Sequence, residues 1–299
     1  MASERIAIIG STGQLGSDLV EVLGQDDAFE IVPLSHQECD STNRDQLREV
    51  LLKSRPDTVM NCAAYVRVDD CEDQTDEAFR VNALGALNVA RTCAELDALC
   101  IYVSTDYVFD GTKSTPYVES DPTCPVNVYG ASKLAGEHLV RQAAPRCLIV
   151  RMASLFGKTG ARGKGGKFIE TVIGKAKAGA PLQVVDDITM SPTYAHDAAE
   201  ALALILRKGV TGKLHVTNSG HCTWHAFAKE ILALAGLKNE VVAVSSSQGR
   251  ASRPKNSSLR SDRFFELLNY ELRPWQDALA AYMVEKGHAP LLRRERKQV

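Results

Sequence analysis

Tyr129 and Lys133 stand four residues apart in the stretch Val128-Tyr129-Gly130-Ala131-Ser132-Lys133. On a helix that spacing puts a phenol and an ammonium on one face, where the pair could give and recover a proton. Free tyrosine titrates near pH ~10, too high for efficient proton transfer at neutrality, and a fixed ammonium beside it favours the phenolate and lowers that value. Spacing alone decides little, because Tyr282-x-x-x-Lys286 repeats it near the C-terminus. That second copy has Leu279 and Met283 as neighbours and reads as the packing face of an amphipathic helix. Two hydroxyls, Ser104 and Thr105, follow another apolar run. They could be aimed at a substrate carbonyl, or could merely bond their own turn.

A further chemical signal lies at the start of the chain. The apolar run Ile6-Ala7-Ile8-Ile9 ends in Gly10-Ser11-Thr12-Gly13-Gln14-Leu15-Gly16, after which Leu19, Val20 and Leu23 recur at helical spacing. This is strand, glycine turn, helix. Glycines every third residue permit a tight turn, let backbone N–H groups approach a pyrophosphate, and allow the helix to pack close on the strand. The helix N-terminus adds partial positive charge. The segment therefore predicts dinucleotide binding.

The elements that must position these residues alternate. Strands are expected at 30–34, 58–61, 99–103 and 147–150, and helices at about 44–53, at about 78–96 and across Tyr129 and Lys133. Strands this apolar, separated by helices, imply a parallel sheet covered on both faces, and right-handed crossovers make it doubly wound. Past Arg151 the pattern loosens. Helices are expected near 168–178, 196–206, 223–234 and 275–285, with strands at 182–185 and around 214–216. The expected architecture is α/β, a doubly wound Rossmann domain with a smaller α/β substrate domain interleaved in sequence. The cofactor unit would take residues 1–150 and about 186–217, and the substrate unit about 151–185 and 218–299. The stretch 157–167, rich in glycine and lysine, lacks the Walker order and reads as a mobile surface loop.

In open parallel sheets ligands bind at the carboxyl ends of the strands. Three segments there are small or polar: Asn61-Cys62-Ala63-Ala64-Tyr65, Ser104 to Gly111, and Arg151-Met152-Ala153-Ser154. The small residues after Asn61 would let a flat cofactor lie against backbone, or would simply pack closely.

Composition narrows the partners. The 299 residues are 44% hydrophobic and 24% charged, with a formal charge of −2 and a pI near 6.4. Without a clustered basic excess, neither nucleic acid nor an anionic membrane is an expected partner. The one basic run, Arg293, Arg294, Arg296 and Lys297, reads as a solvated tail. Eight cysteines are too sparse for a disulfide scaffold and none has C-x-x-C spacing, so Cys62, Cys100 and Cys147 read as small buried hydrophobes. No apolar run approaches the ~18 residues of a membrane span and the chain opens directly into a strand pattern, so a cytoplasmic protein is expected.

The glycine turn, Ser-Thr-Asp-Tyr-Val-Phe-Asp-Gly at 104–111 and Tyr-x-x-x-Lys, in this order, resemble the extended short-chain dehydrogenase/reductase superfamily. A narrower set resembles the dTDP-4-dehydrorhamnose reductase family: Asn61-Cys-Ala-Ala-Tyr65 with Val68-Asp69, Asn82-Ala-Leu-Gly85, Asn127-Val-Tyr-Gly-x-Ser-Lys-Leu-Ala-Gly-Glu137, Asp186-Asp187, Ser191-Pro-Thr193 and Arg253-Pro-x-Asn-Ser257. These motifs span nearly the whole chain. The resemblance implies a catalytic set of Thr105, Tyr129 and Lys133. It implies NAD(P)H contacts at Gly10, Thr12, Gly13, Gln14, Leu15, Gly16, Asp40, Ala63, Ala64 and Tyr65, and again at Tyr129 and Lys133. Substrate contacts are implied at Val68, Asp69, Thr105, Asp106, Tyr107 and Arg253, whose guanidinium suits a diphosphate. The implied reaction is NAD(P)H-dependent reduction of the 4-keto group of a nucleotide-activated 6-deoxy sugar, dTDP-4-dehydro-rhamnose to dTDP-rhamnose, for cell-surface polysaccharide precursors. Nicotinamide would carry the hydride, Tyr129 the proton, and Lys133 would hold ribose hydroxyls.

Three departures qualify the match. Many members carry R-[TI]-S-W where this chain has Arg151-Met-Ala-Ser154, so the tryptophan that would pack on sugar or base is missing and the sugar stays open. Some members hold magnesium at a carboxylate-lined dimer contact, but His196 stands where one acid is wanted, and no metal is expected. After the second strand Ser35-His36 replaces the acid that would hold the adenosine ribose, and no arginine stands there to attract a 2′-phosphate. NADPH is expected, with NADH possible, in a monomer or homodimer. A different class remains open, a non-catalytic NADP-binding regulatory subunit resembling the methionine adenosyltransferase β subunit. So does another nucleotide-sugar reductase or an epimerase.

Overall fold

Alternate residues of the first strand point to opposite faces of a sheet, and the whole topology grows from that. In β1 (Glu4–Ile9), Ile6 and Ile8 join one buried cluster while Ala7 and Ile9 join another, so both faces are covered. The computed structural model describes residues 3–159, 168–246 and 249–289. After β1 come α1 (Gln14–Leu23), β2 (Phe29–Leu34), α2 (Arg44–Ser54) and β3 (Thr58–Asn61). Two short helices, α3 (Val68–Asp73) and α4 (Thr75–Phe79), run through a π-helical turn at Arg80–Gly85 into α5 (Ala86–Leu96). Then follow β4 (Leu99–Thr105), α6 (Val128–Ala143) and β5 (Cys147–Met152).

The second part begins with β6 (Leu155–Phe156), α7 (Phe168–Lys177), β7 (Leu182–Val185), β8 (Thr189–Met190) and β9 (Thr193–Tyr194). It continues through α8 (Ala195–Arg207), β10 (Gly212–His215), β11 (Cys222–Thr223), α9 (Trp224–Leu234), β12 (Val241–Val244), α10 (Asp262–Leu268) and α11 (Trp275–Glu285). Six strands form one parallel sheet in the order β10-β5-β4-β3-β1-β2. The chain starts at β1, winds outward to β2, and returns across β1 to β3, so strand order reverses between β1 and β3. Helices α1 and α8 close one face, and α2, α5 and α6 the other.

A second apolar cluster gathers Phe156, Val172, Leu182, Phe227, Ile231, Leu279 and Met283 under α7, α9 and α11, with β12 pairing β7 in parallel. The second tyrosine–lysine copy belongs here. Tyr282 is fully buried and donates to Glu170 Oε1 at 2.8 Å, while Lys286 is exposed, as their apolar neighbours suggested. The expected helix over 78–96 is one helical run interrupted by the π turn. The expected strand at 99–103 extends two residues further, so Ser104 and Thr105 end β4 rather than follow it. Of the expected loop at 157–167, residues 160–167 lie outside the described residues, as does the basic C-terminal run. Lys158 is described, and its ammonium bridges Glu21 at 3.0 Å and Glu285 at 2.6 Å.

Candidate active site

The glycine turn sits at the carboxyl end of β1, against the residues that follow β3. Gly10 adopts φ +79°, and a Cβ on Gly16 would lie 2.2 Å from the Gly10 carbonyl oxygen, so α1 docks on the turn at a distance no side chain permits. The helix starts without a side-chain cap and with no acidic residue in its first turn. Its opening residues Gly13, Gln14 and Leu15 line a cavity of about 900 Å³. Uncapped N–H groups at a positive helix end, reached through glycines, suit the phosphates of a dinucleotide.

The same cavity is lined by Gly10, Thr12, Asp40, Ala63, Ala64, Tyr65, Val68, Thr105, Asp106, Tyr107, Tyr129 and Lys133. The expected residues therefore meet around one space, drawn from the ends of β1, β3 and β4 and from α6. Gly16, Asp69 and Arg253 do not line it. Gly16 lies beneath the turn, and Asp69 and Arg253 pair with each other at 2.6 Å. The Arg253 guanidinium also reaches Tyr107, whose ring meets that of Tyr129 edge-on at 5.9 Å.

Each central side chain has an identifiable support. Asn127 caps α6 by accepting from Gly130 N–H at 2.8 Å, and a Cβ on Gly130 would fall 2.1 Å from the Tyr107 carbonyl oxygen. That close approach seats Tyr129 beside the short turn Asp106–Val108. Thr105 caps this turn through Tyr107 N–H at 3.2 Å, and its hydroxyl donates to Asp106 Oδ1 at 3.0 Å. Asn82, fully buried in the π turn, accepts from Tyr65 N–H at 2.9 Å and donates to Tyr65 O and to Ser132 Oγ. It ties the stretch after β3 to α6.

The direct phenol–ammonium pairing expected from the spacing is not what the two groups make. Lys133 Nζ donates to Val103 O at 2.7 Å and lies 4.1 Å above the centre of the Tyr102 ring. Burial pushes the Tyr129 phenol above its ordinary value, the Thr105 hydroxyl opposing this. Burial likewise pulls Lys133 down to about 7, with Glu137 opposing. Desolvation disfavours both charged forms and is the largest influence on each. Tyr129 is thus a protonated donor at neutrality rather than a phenolate.

Cys62 also departs from expectation. It is half-buried on the cavity wall, whereas Cys100 and Cys147 are buried as expected. Ser154 reaches the wall with φ +42°, a left-handed conformation that costs strain in a non-glycine residue. Two groups escaped the sequence reading. Arg80 of the π turn joins His36, Asp40 and Thr42 on the wall, held by a fork to Glu77 and a bond to the Thr42 hydroxyl. Trp224, at the start of α9, joins the far wall with Phe168 at a centroid distance of 4.8 Å. Neither carries a local signal, because each arrives from a distant element.

A doubly wound sheet with a glycine turn at its switch point, and a threonine, tyrosine and lysine in the same crevice, defines a dinucleotide-binding protein of the short-chain dehydrogenase/reductase type. A family model described as the RmlD substrate binding domain matches residues 4–287, and the chain belongs to this family, that of the dTDP-4-dehydrorhamnose reductases. The chain is 36% identical to dTDP-4-dehydrorhamnose reductase of Burkholderia thailandensis over 92% of its length and 96% of that protein's. It is 34% identical to the spore coat polysaccharide biosynthesis protein SpsK of Bacillus subtilis, over 95% and 99% of the two. The crystal structure of dTDP-4-dehydrorhamnose reductase from Bacillus anthracis in complex with NADP superposes with TM-score 0.90 at 35% identity, covering 95% of this chain and all of that one. A UDP-glucose 4-epimerase of Thermotoga maritima shares the fold alone, with TM-score 0.83 at 16% identity.

Proposed function

We propose that this chain is an NADPH-dependent reductase of the 4-keto group of a nucleotide-activated 6-deoxy sugar, converting dTDP-4-dehydro-rhamnose to dTDP-rhamnose. The observation that carries the reading is the meeting of Thr105, Tyr129 and Lys133 with the glycine turn in one cavity. The residues fit the cofactor: a turn that only glycines allow, an uncapped helix start, and small residues at Ala63 and Ala64 for backbone approach. Bound NADPH would supply hydride. The chain supplies the rest. Gly10, Thr12, Gly13, Gln14 and Leu15 hold phosphates, Asp40 and Tyr65 bound the cavity, and Lys133 holds ribose hydroxyls. Tyr129 Oη gives its proton to the ketone oxygen, with Thr105 Oγ1 orienting that oxygen. Val68, Asp106 and Tyr107 border the sugar, while Arg253 and Asp69 stand at the rim for the diphosphate.

The work divides as residues 1–150 with about 186–217 for the cofactor, and about 151–185 with 218–299 for the sugar. The separate apolar cluster under α7, α9 and α11 supports a second unit, while Met190 and Tyr194 pack with that cluster and Phe264 and Leu272 with the sheet's. The enzyme would act in the cytoplasm, as a monomer or homodimer. Among the described residues no helix is long and apolar enough to cross a membrane.

NADPH oxidation on adding dTDP-4-dehydro-rhamnose tests the reading. Turnover is expected. Tight NADPH binding with no turnover of this or any other nucleotide keto-sugar would overturn it in favour of a regulatory subunit.

A further inference from the structure

Lys133 is a buried ammonium, and a buried carboxylate lies one helical turn beyond it. Glu137 follows Lys133 by four residues on α6, so both leave the same helix face toward the sheet. Glu137 Oε1 accepts from the Ser104 hydroxyl at 2.6 Å and from Arg151 Nε at 2.8 Å, and Oε2 accepts from Arg151 Nη2 at 2.7 Å. Arg151 is 1% exposed and stacks over Phe109 at 5.1 Å, so the fork is sealed from solvent. Ser104 is the neighbour of Thr105 and pairs in register with Arg151. The cluster therefore lies directly next to Thr105 in β4 and one helical turn from Lys133 in α6.

Stability alone does not explain it. A buried ion pair costs much desolvation, and apolar residues of similar volume commonly serve a fold as well. We propose that Glu137, clamped by Arg151 and Ser104, is a positioning residue that keeps the Lys133 ammonium charged in its buried seat, ready to hold the cofactor ribose. The proposal rests on the reading of Lys133 as a cofactor-binding residue.

The groups facing Lys133 from each packed element narrow the choice. Cys62 comes from the end of β3, Tyr102 from β4, Tyr129 and Glu137 from α6 itself. Facing Glu137 are Arg151 of β5, Ser104 of β4 and Lys213 of β10. Burial pushes the Cys62 thiol up to about 12 and raises the Tyr102 and Tyr129 phenols, so all three are neutral at pH 7. Of the groups facing Lys133, Glu137 is the anion. A lysine loses its charge as pH rises through its own pKa, and removing a neighbouring anion lowers that pKa. The loss must then appear at lower pH.

The test is NADPH affinity, read by nicotinamide fluorescence between pH 5.5 and 9, alongside kcat/KM where turnover is measurable. Glu137→Gln keeps the shape and removes the charge, leaving one acceptor where the carboxylate offered two to Arg151. The variant is expected to bind NADPH within about twofold of wild type at pH 5.5 and about tenfold more weakly at pH 8, its alkaline limb moved acidward by about one unit. Glu137→Asp, which keeps the charge, restores the wild-type limb. Coincident limbs for Glu137→Gln and wild type, or a loss equal at every pH, would overturn the proposal and leave Glu137 a purely structural role. Should Glu137→Gln fail to fold, the double variant Glu137→Gln/Arg151→Met decides, since it removes the anion without leaving the Arg151 guanidinium unpaired: an acidward limb supports the proposal and an unmoved one overturns it. Because binding needs no sugar, a chain inert toward every keto-sugar would sink the reductase reading without touching this result.

Discussion

At the scale of single residues the tyrosine and lysine of α6 divide the labour that their spacing suggested they would share. Tyr129 keeps its proton because burial disfavours the phenolate, which suits a group that must protonate a ketone. Tyr129→Phe is expected to hold NADPH within about twofold of wild type while losing about 10²–10⁴ of kcat, the range for a lost general acid. An unchanged rate would remove Tyr129 from the chemistry. Arg80 makes the second residue-scale case. Its guanidinium stands beside His36 and Thr42 on the cavity wall, the end suited to an adenosine ribose. Arg80→Met should weaken NADPH by about tenfold, a charge-assisted hydrogen bond's worth, and leave NADH little changed. Equal losses for both cofactors would reject a role at the 2′-phosphate. Tyr129, Lys133 and Thr105 were legible as chemical types next to strand ends. Arg80 was not, because nothing near it in sequence says that the π turn faces the loop after β2.

At the scale of elements, α1 and its turn carry the closest packing. Gly16→Ala must push α1 off the Gly10 carbonyl, at a cost of about 1–3 kcal/mol. A lower urea midpoint together with weaker NADPH binding is the expected outcome. The same helix buries Asp18, whose carboxyl desolvation pushes up to about 6 despite the pull of His196 and Lys158. A carboxyl raised in the folded state costs nothing below its unfolded value near ~4 and destabilises increasingly as pH climbs to about 6. Asp18→Asn escapes that cost. Thermal melts should show it equal to wild type at pH 4 and more stable at pH 8, by about 2–3 kcal/mol. Long strands and helices were legible from their apolar periods. The two-residue strands β6, β8, β9 and β11 are too short to show a period, and the π turn hides inside a helical pattern because one extra residue per turn barely changes it.

For the whole molecule, the reversal of strand order between β1 and β3 opens the crevice, and returning chain closes its rim. Ser252 O accepts from Asn127 Nδ2 at 2.8 Å, Arg253 pairs with Asp69, and Arg250 pairs with Asp73. These contacts join the segment near residue 250 to α3 and to the start of α6. Arg253→Ala is therefore expected to raise KM for the nucleotide sugar about tenfold or more, with NADPH affinity kept, since a guanidinium–diphosphate contact is charge-assisted. A change in NADPH binding with KM untouched would move Arg253 to the cofactor.

By itself the sequence determined the alternation of strand and helix, the glycine turn, and the presence of a hydroxyl, a phenol and an ammonium at strand ends. Those follow from periodicity, turn chemistry and spacing, all of which act over a few residues. Only the tertiary structure decided that Lys133 spends its proton on the Val103 carbonyl, that Glu137 meets Arg151 behind it, and that Arg80 and Trp224 reach the cavity. The reason is physical. Which charges survive depends on how deeply they are buried and on which distant groups are buried with them.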